Sequence, residues 1–290
     1  MSDYVIMTDS SCDLPAGLAE EMGLSVLPLT VLIEDKTYTN YLDEREIAFS
    51  EIYAKLRTKC PAKTSAVNMH EFLGPMEEIV KSGRDILYIG FSSGLSGTYN
   101  AGAAAAREIA EKYPERKVLA VDSLAASMGQ GLLVYLAWQE KQKGMDIDAL
   151  YQWVLDNRLH LVHYFTIDDL MFLKRGGRIS GATAVVGSML SIKPVMHVDD
   201  EGHLIKVGTA RGRKASIRAL ADQVGKRAID PENQVMFISH GDCINDAKYL
   251  EEQLRTRFRV KDVVISYVGP VIGAHSGPGT VALFFYGTER

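Results

Sequence analysis

The sequence predicts an α/β protein with largely parallel sheets, and three observations carry the prediction. Apolar runs of strand length alternate with amphipathic segments of helix length along the 290 residues. Several runs end in polar or glycine-rich turns that lead into a helix. The pattern also starts afresh near His163, which predicts two α/β domains, 1–162 and 163–290.

The first strand, Tyr4-Val5-Ile6-Met7, ends at Thr8-Asp9-Ser10-Ser11. A short helix follows Asp13-Leu14-Pro15, with Pro15 tolerated in its first turn and Gly23 ending it. Leu24 to Ile33 reads as one extended strand before the turn Glu34-Asp35-Lys36. An amphipathic helix from about Asp43 carries Ile47, Tyr53 and Leu56. Asn68 can cap the next helix, with Glu71 completing a capping box and Phe72, Met76 and Ile79 facing inward. Ile86 to Ile89 is a buried strand; Phe91 to Asn100 is a loop of serines and glycines, and an alanine-rich helix follows. Val118 to Ser123 is another strand. A long helix from Ala125 to about Lys143 holds Gly129 and Gly131 for close packing, and a further helix spans about Asp146 to Asn157.

In the second half, Tyr164 to Ile167 is a strand and Lys174-Arg175-Gly176-Gly177-Arg178 a basic loop. Asp200-Glu201-Gly202 marks a hairpin between strands Val195–Val198 and Leu204–Val207. Helices over Lys214–Arg227 and Ile244–Phe258 alternate with strands Val235–Ile238, Val263–Tyr267 and Val281–Tyr286. The last two strands are joined by a glycine-rich loop, Gly269 to Gly279, around His275.

Composition narrows the function classes. A net charge of −5, with 47% hydrophobic and 24% charged residues, gives no reason to expect bulk nucleic-acid or anionic-membrane binding. No apolar run reaches the length of a membrane span, and the chain runs straight into a strand pattern without a visible signal peptide. Cys12, Cys60 and Cys243 are widely spaced and lack C-x-x-C, as expected of free thiols in a reducing cytoplasm.

The Ser/Gly loop is the most informative segment. A helix start offers unpaired N–H groups and a positive dipole end, which favour an anion. The loop holds no Lys or Arg, and it lacks the G-K-[ST] ending of a P-loop. Gly94-Leu95-Ser96-Gly97-Thr98 misses the last glycine of a nucleophile elbow. Asp9 and Asp122, at strand ends, suit turn capping better than metal binding, and no catalytic residue, metal or cofactor is predicted. Thr64-Ser65 reads as a second hydroxyl-rich loop before a helix, either a cap or part of the anion site. His275, crowded by glycines and a proline, suits a backbone held close to a ligand. The basic run Arg211-Gly212-Arg213-Lys214 is a solvated face or a contact for an acidic partner.

These segments together resemble the DegV family of bacterial fatty-acid-binding proteins. The motifs are Thr8 to Pro15, Thr64-Ser65, Phe91 to Asn100, Val121-Asp122-Ser123, Leu173 to Ile179, Ser191 to Pro194, Arg211 to Lys214 and the His275 loop. The resemblance implies two α/β domains with a long-chain fatty acid, such as palmitate, between them. It implies a carboxylate held by Thr64 and Ser96, with His275 close by and Ser93 as the competing serine. Ala66 stands where the family commonly has Gln. The implied role is that of a carrier that presents the acid to a separate ATP-dependent kinase for acyl-phosphate formation, with Arg178 and Arg211 contacting the kinase or its nucleotide. Two other roles stay open: a phosphotransferase related to the substrate domain of dihydroxyacetone kinases, and a lipid-responsive regulatory sensor.

The physical chemistry agrees with such a ligand. A carboxylate is satisfied by a few hydroxyl and N–H donors, whereas phosphate usually recruits Arg or Lys. About fifteen buried methylenes at about 0.8 kcal/mol each give roughly 12 kcal/mol gross, from which association costs subtract several kcal/mol. Phe91, Phe165, Ile192, Met196 and Ile272 are candidate lining residues.

Overall fold

The computed structural model describes residues 3–179 and 192–290; Ser191 of the Ser191–Pro194 motif lies outside the described residues. Strand β1 (Tyr4–Asp9) is buried throughout, and helix α1 (Ala16–Glu21) follows with Pro15 at its N-cap. The Leu24–Ile33 run is two strands rather than one, β2 (Ser25–Leu27) and β3 (Thr30–Ile33). Pro28 stands between them and has no N–H to give a ladder. Thus β2 pairs with β1 in parallel, while β3 joins β4 (Lys36–Thr39) in a separate antiparallel sheet. Helix α2 (Phe49–Arg57) begins later than Asp43, whose carboxylate instead accepts from the Arg45 guanidinium at 2.8 Å. Thr64 and Ser65 lie in a strand, β5 (Ala62–Ser65), and not in a loop, because the segment pairs with β3.

Helix α3 (Met69–Lys81) has the expected capping box. Asn68 Oδ1 accepts from the N–H groups of His70 and Glu71, and the Glu71 carboxylate accepts from the Asn68 N–H at 2.7 Å. Phe72, Met76 and Ile79 are its buried face. Next come β6 (Asp85–Gly90), α4 (Thr98–Lys112), β7 (Val118–Asp122), α5 (Met128–Gln142) and α6 (Ile147–Asn157). The four-stranded sheet β2-β1-β6-β7 is parallel at every pair.

The second half supplies β8 (Leu161–Thr166), α7 (Met171–Arg175), β9 (Ile192–Val198), β10 (Leu204–Arg211), α8 (Arg213–Arg227) and β11 (Val235–His240). It closes with α9 (Ile244–Phe258), β12 (Asp262–Tyr267), α10 (Pro270–Ser276) and β13 (Val281–Tyr286). The six-stranded sheet runs β10-β9-β8-β13-β11-β12, and here the largely parallel expectation gives way. Only β11 and β12, joined through α9, pair in parallel. The predicted hairpin makes β9–β10 antiparallel, and β13 inserts antiparallel to both β8 and β11. The α/β class therefore holds along the chain, with the parallel arrangement concentrated in the first sheet.

Helix α5 packs between the two larger sheets. Its Met128, Leu132 and Leu133 share one core with Ile6 and Leu87 of the first sheet and with Phe165 and Phe284 of the second. Gly129 and Gly131 permit this approach, since a Cβ on Gly129 would lie about 2.1 Å from the His163 ring and one on Gly131 2.6 Å from the Cys12 carbonyl oxygen. The outer face of the first sheet is covered by α3 and α4, and that of the second by α8 and α9. No helix among the described residues is long and apolar enough to cross a membrane.

Candidate functional site

The Ser/Gly loop is held in place by buried carboxylates at strand ends. Asp9 accepts from the N–H groups of Ser11 and Phe91 and from Gln130 Nε2, at 3.0–3.2 Å; burial still raises its carboxyl above the usual range. Asp122 accepts from the N–H groups of Ser93 and Leu124. Both strand-end aspartates thus organise turns. Ser92 Oγ donates to the Gly202 carbonyl at 2.9 Å and fastens the loop to the β9–β10 turn. Gly202 has φ +80°, and a Cβ there would lie 2.2 Å from Ser92 Oγ.

Of the two serines offered as carboxylate donors, the structure brings only Ser96 to the cavity described below. Ser93 is exposed. Ser96 Oγ accepts the Thr98 N–H at 3.2 Å and lies 2.9 Å from Thr98 Oγ1. When Thr98 donates in that hydroxyl pair, the Ser96 proton is available to a ligand.

Thr64 and His275 meet from distant parts of the chain, with Thr64 Oγ1 and His275 Nε2 2.8 Å apart. His275 sits on α10 and not in an open loop; Pro270 starts that helix, where a missing N–H costs nothing. Burial, with Arg178 a smaller cause, lowers the His275 imidazole to about 4, so it is neutral at pH 7. Its Nδ1 is buried without a hydrogen bond among the described residues. In the tautomer protonated at Nε2, the imidazole donates to Thr64 and turns the Thr64 proton toward the cavity. Gly176 packs on the ring, and a Cβ there would lie 2.2 Å from Nδ1.

Arg178 was expected at a partner surface, but its half-buried side chain lines the same cavity, with Nε donating to the Leu95 carbonyl at 3.2 Å. A loop without basic residues of its own therefore receives a guanidinium from the second half. Arg211 is exposed at the end of β10 and does not line the cavity.

The cavity measures about 300 Å³. Thr64, Ser96, Arg178 and His275 supply polar groups, while Phe91, Leu95, Phe165, Val271, Ile272 and Phe284 supply apolar walls. Ile192 and Met196 are not in the lining; Met196 is fully buried in the core. Five polar lining residues went unrecognised in the sequence: Ser127, His163, Ser239, Ser276 and Thr280. Ser127 Oγ donates to Asp13 at 2.5 Å and lies 3.0 Å from Ser239 Oγ. Burial pushes the Asp13 carboxyl up to about 8. The Ser127 backbone has φ +54°, uncommon for a non-glycine residue. These residues carry no local motif, so periodicity could not single them out.

The arrangement is a compact set of hydroxyl and guanidinium donors opening onto an apolar space. It can hold a small anionic group with a long apolar substituent. Ser96 has a hydroxyl partner rather than a base, so no nucleophile–base pair is formed there.

A family model described as an uncharacterised protein of the DegV family matches residues 3–288. A DegV domain-containing protein of Clostridium perfringens is 46% identical over 290 residues, covering 100% of this chain and 99% of the relative. The structure resembles a Thermus thermophilus DegV family protein described for its fatty-acid binding, with TM-score 0.87, 30% identity and coverage of 99% and 100%. It also resembles DegV of Bacillus subtilis, described as a fatty-acid-binding protein, with TM-score 0.83, 27% identity and coverage of 98% and 99%. With a family match that runs nearly end to end, a close-packed core and a shared fold, this chain belongs to the DegV family.

Proposed function

We propose that this protein binds one long-chain fatty acid, palmitate being a suitable example, without a cofactor. The observation that carries the reading is the cavity itself, in which Thr64, Ser96 and Arg178 offer donors and most of the remaining wall is apolar. The first two donate hydroxyl hydrogens to the carboxylate, Arg178 balances its charge, and neutral His275 orients Thr64. Charge-assisted hydrogen bonds of this kind are worth about 1.5–3 kcal/mol each and fix which end of the acid sits where. The apolar walls supply most of the affinity. The lining draws on both proposed domains, 1–162 and 163–290, which supports a ligand lying between them.

The fatty-acid binding described for the Thermus and Bacillus relatives supports this reading. We further propose a cytoplasmic carrier without turnover of its own, which presents the carboxylate to an ATP-dependent kinase. Support comes from the lack of a P-loop in this chain and from the exposed Arg211 near the basic start of α8. Protein purified from a bacterial host should carry fatty acid, seen as added mass under gentle ionisation and as free acid after extraction. A folded sample that neither retains nor takes up palmitate would sink the proposal.

A further inference from the structure

His163 stands apart from the other groups in the cavity wall. It lies on β8, is 1% exposed, and neither ring nitrogen has a hydrogen-bond partner among the described residues. Its ring packs edge-on to Phe284, with centroids 5.6 Å apart, and Gly129 of α5 leaves room for its Nε2 edge. Burial, with Arg290 and His197 adding to it and the nearby Leu161 backbone opposing it, holds the imidazole well below its usual range, so the ring is neutral. A neutral imidazole has one N–H donor and one bare acceptor nitrogen. A buried side chain of that kind normally finds partners within the protein or in a bound molecule.

The sheet gives its depth. His163 pairs with Phe284 and Phe165 with Ala282, and all four side chains line the cavity. Strand β13 follows α10, so the His163 level is one same-face step, about 7 Å, farther from α10 and His275 than Phe165. His163 therefore lies beyond the carboxylate donors, where an acyl chain would pass. Ser239, paired with Ala282, adds a hydroxyl at the intermediate level, linked through Ser127 to Asp13.

We propose that the cavity recognises an acyl chain carrying a hydroxyl group partway along its length, hydrogen-bonded to His163. An alcohol can donate to the bare nitrogen or accept from the N–H, so it can partner whichever ring nitrogen faces the cavity in either tautomer. A plain alkyl chain leaves both without a partner. This deepens the fatty-acid reading above and rests on it.

The test uses the full chain, delipidated, with stearic acid and a series of monohydroxystearic acids differing only in hydroxyl position. In the wild type, one position or two adjacent positions should bind about tenfold more tightly than stearic acid, a factor equal to about 1.4 kcal/mol. His163→Leu should abolish that preference, read as the ratio of hydroxystearic to stearic acid affinity within the same variant, and His163→Gln should retain part of it. The positional scan on the wild type stands by itself if His163→Leu fails to fold. Stearic acid binding with no position-specific gain, or with a gain that survives in His163→Leu, overturns the inference alone. Weaker binding of every hydroxy acid has the same consequence and assigns the ring to a buried water. Failure of every acid to bind overturns the fatty-acid reading together with the inference.

Discussion

Thr64 Oγ1 and His275 Nε2 are 2.8 Å apart although 211 positions separate the two residues in the chain. The contact joins β5, in the small antiparallel sheet, to α10, beside the last strand of the large one. Thr64→Val removes the hydroxyl at nearly constant volume, and Ser96→Ala removes its counterpart. Each should weaken palmitate binding about tenfold or more, the scale of a lost hydrogen bond to a charged group. The methyl ester of palmitate, which lacks the charge, should respond far less. Calorimetric titration of acid and ester against both variants checks this; equal losses for the two ligands would remove the assigned role.

Arg178 and Arg211 should separate in their effects. Arg178 lines the cavity and Arg211 does not. Arg178→Gln should lower palmitate affinity by about tenfold, as expected for a charge-assisted contact, while Arg211→Ala leaves it unchanged. In an acyl-phosphate assay with a fatty-acid kinase, Arg211→Ala should slow transfer from the loaded protein. A shared loss of lipid affinity in both variants contradicts this division.

His275 imposes a pH dependence on the unliganded protein. Its folded value is about 4, whereas an unfolded-chain histidine titrates near about 6.5. Between these values the unfolded chain binds the extra proton. The contribution is therefore full above about pH 6.5, falls as the pH drops, and is gone below about 4. Denaturant titrations of wild type and His275→Gln should converge across that window and run parallel above it. A difference that stays constant from pH 4 to 8 would count against a buried neutral imidazole.

Asp13 acts in the opposite sense. Burial lifts its carboxyl to about 8, against about 3.9 in an unfolded chain. Its stabilising contribution is complete at about pH 4 and below and is lost as the pH rises through about 8. Asp13→Asn should therefore gain on the wild type over that range, by on the order of a few kcal/mol at the alkaline end. A stability difference between the two proteins that does not change with pH refutes a protonated Asp13.

Local chemistry was legible in the sequence where it acts locally. The Asn68–Glu71 capping box, the hairpin at Asp200-Glu201-Gly202 and the helix after the Ser/Gly loop each follow from residues a few positions apart. Features set by distant pairing were not. Thr64 becomes a strand residue because β3 lies alongside it, and the second sheet turns antiparallel because β13 inserts between β8 and β11. Arg178 reaches the Leu95 carbonyl from 83 positions away, which no reading of the Ser/Gly loop by itself reveals. His163 sits in a strand pattern where an apolar residue would serve equally well, so its place in the cavity wall emerges only once α5 is packed over it.

The bond from Ser92 to the Gly202 carbonyl bears on kinetics as well as geometry. It fastens the loop carrying Ser96 to the β9–β10 turn, while Thr64 and His275 form a second fastening between the halves of the chain. An opening of the cavity between the halves would have to break the Ser92 bond together with the Thr64–His275, Arg178–Leu95 and Ser127–Ser239 contacts. Substitutions at Ser92 should consequently shorten the residence time of the lipid while leaving the carboxylate donors intact, because interface changes act mainly on dissociation. On the fatty-acid reading, Ser92 should govern how long a cargo is kept, separately from the groups that decide which cargo is taken.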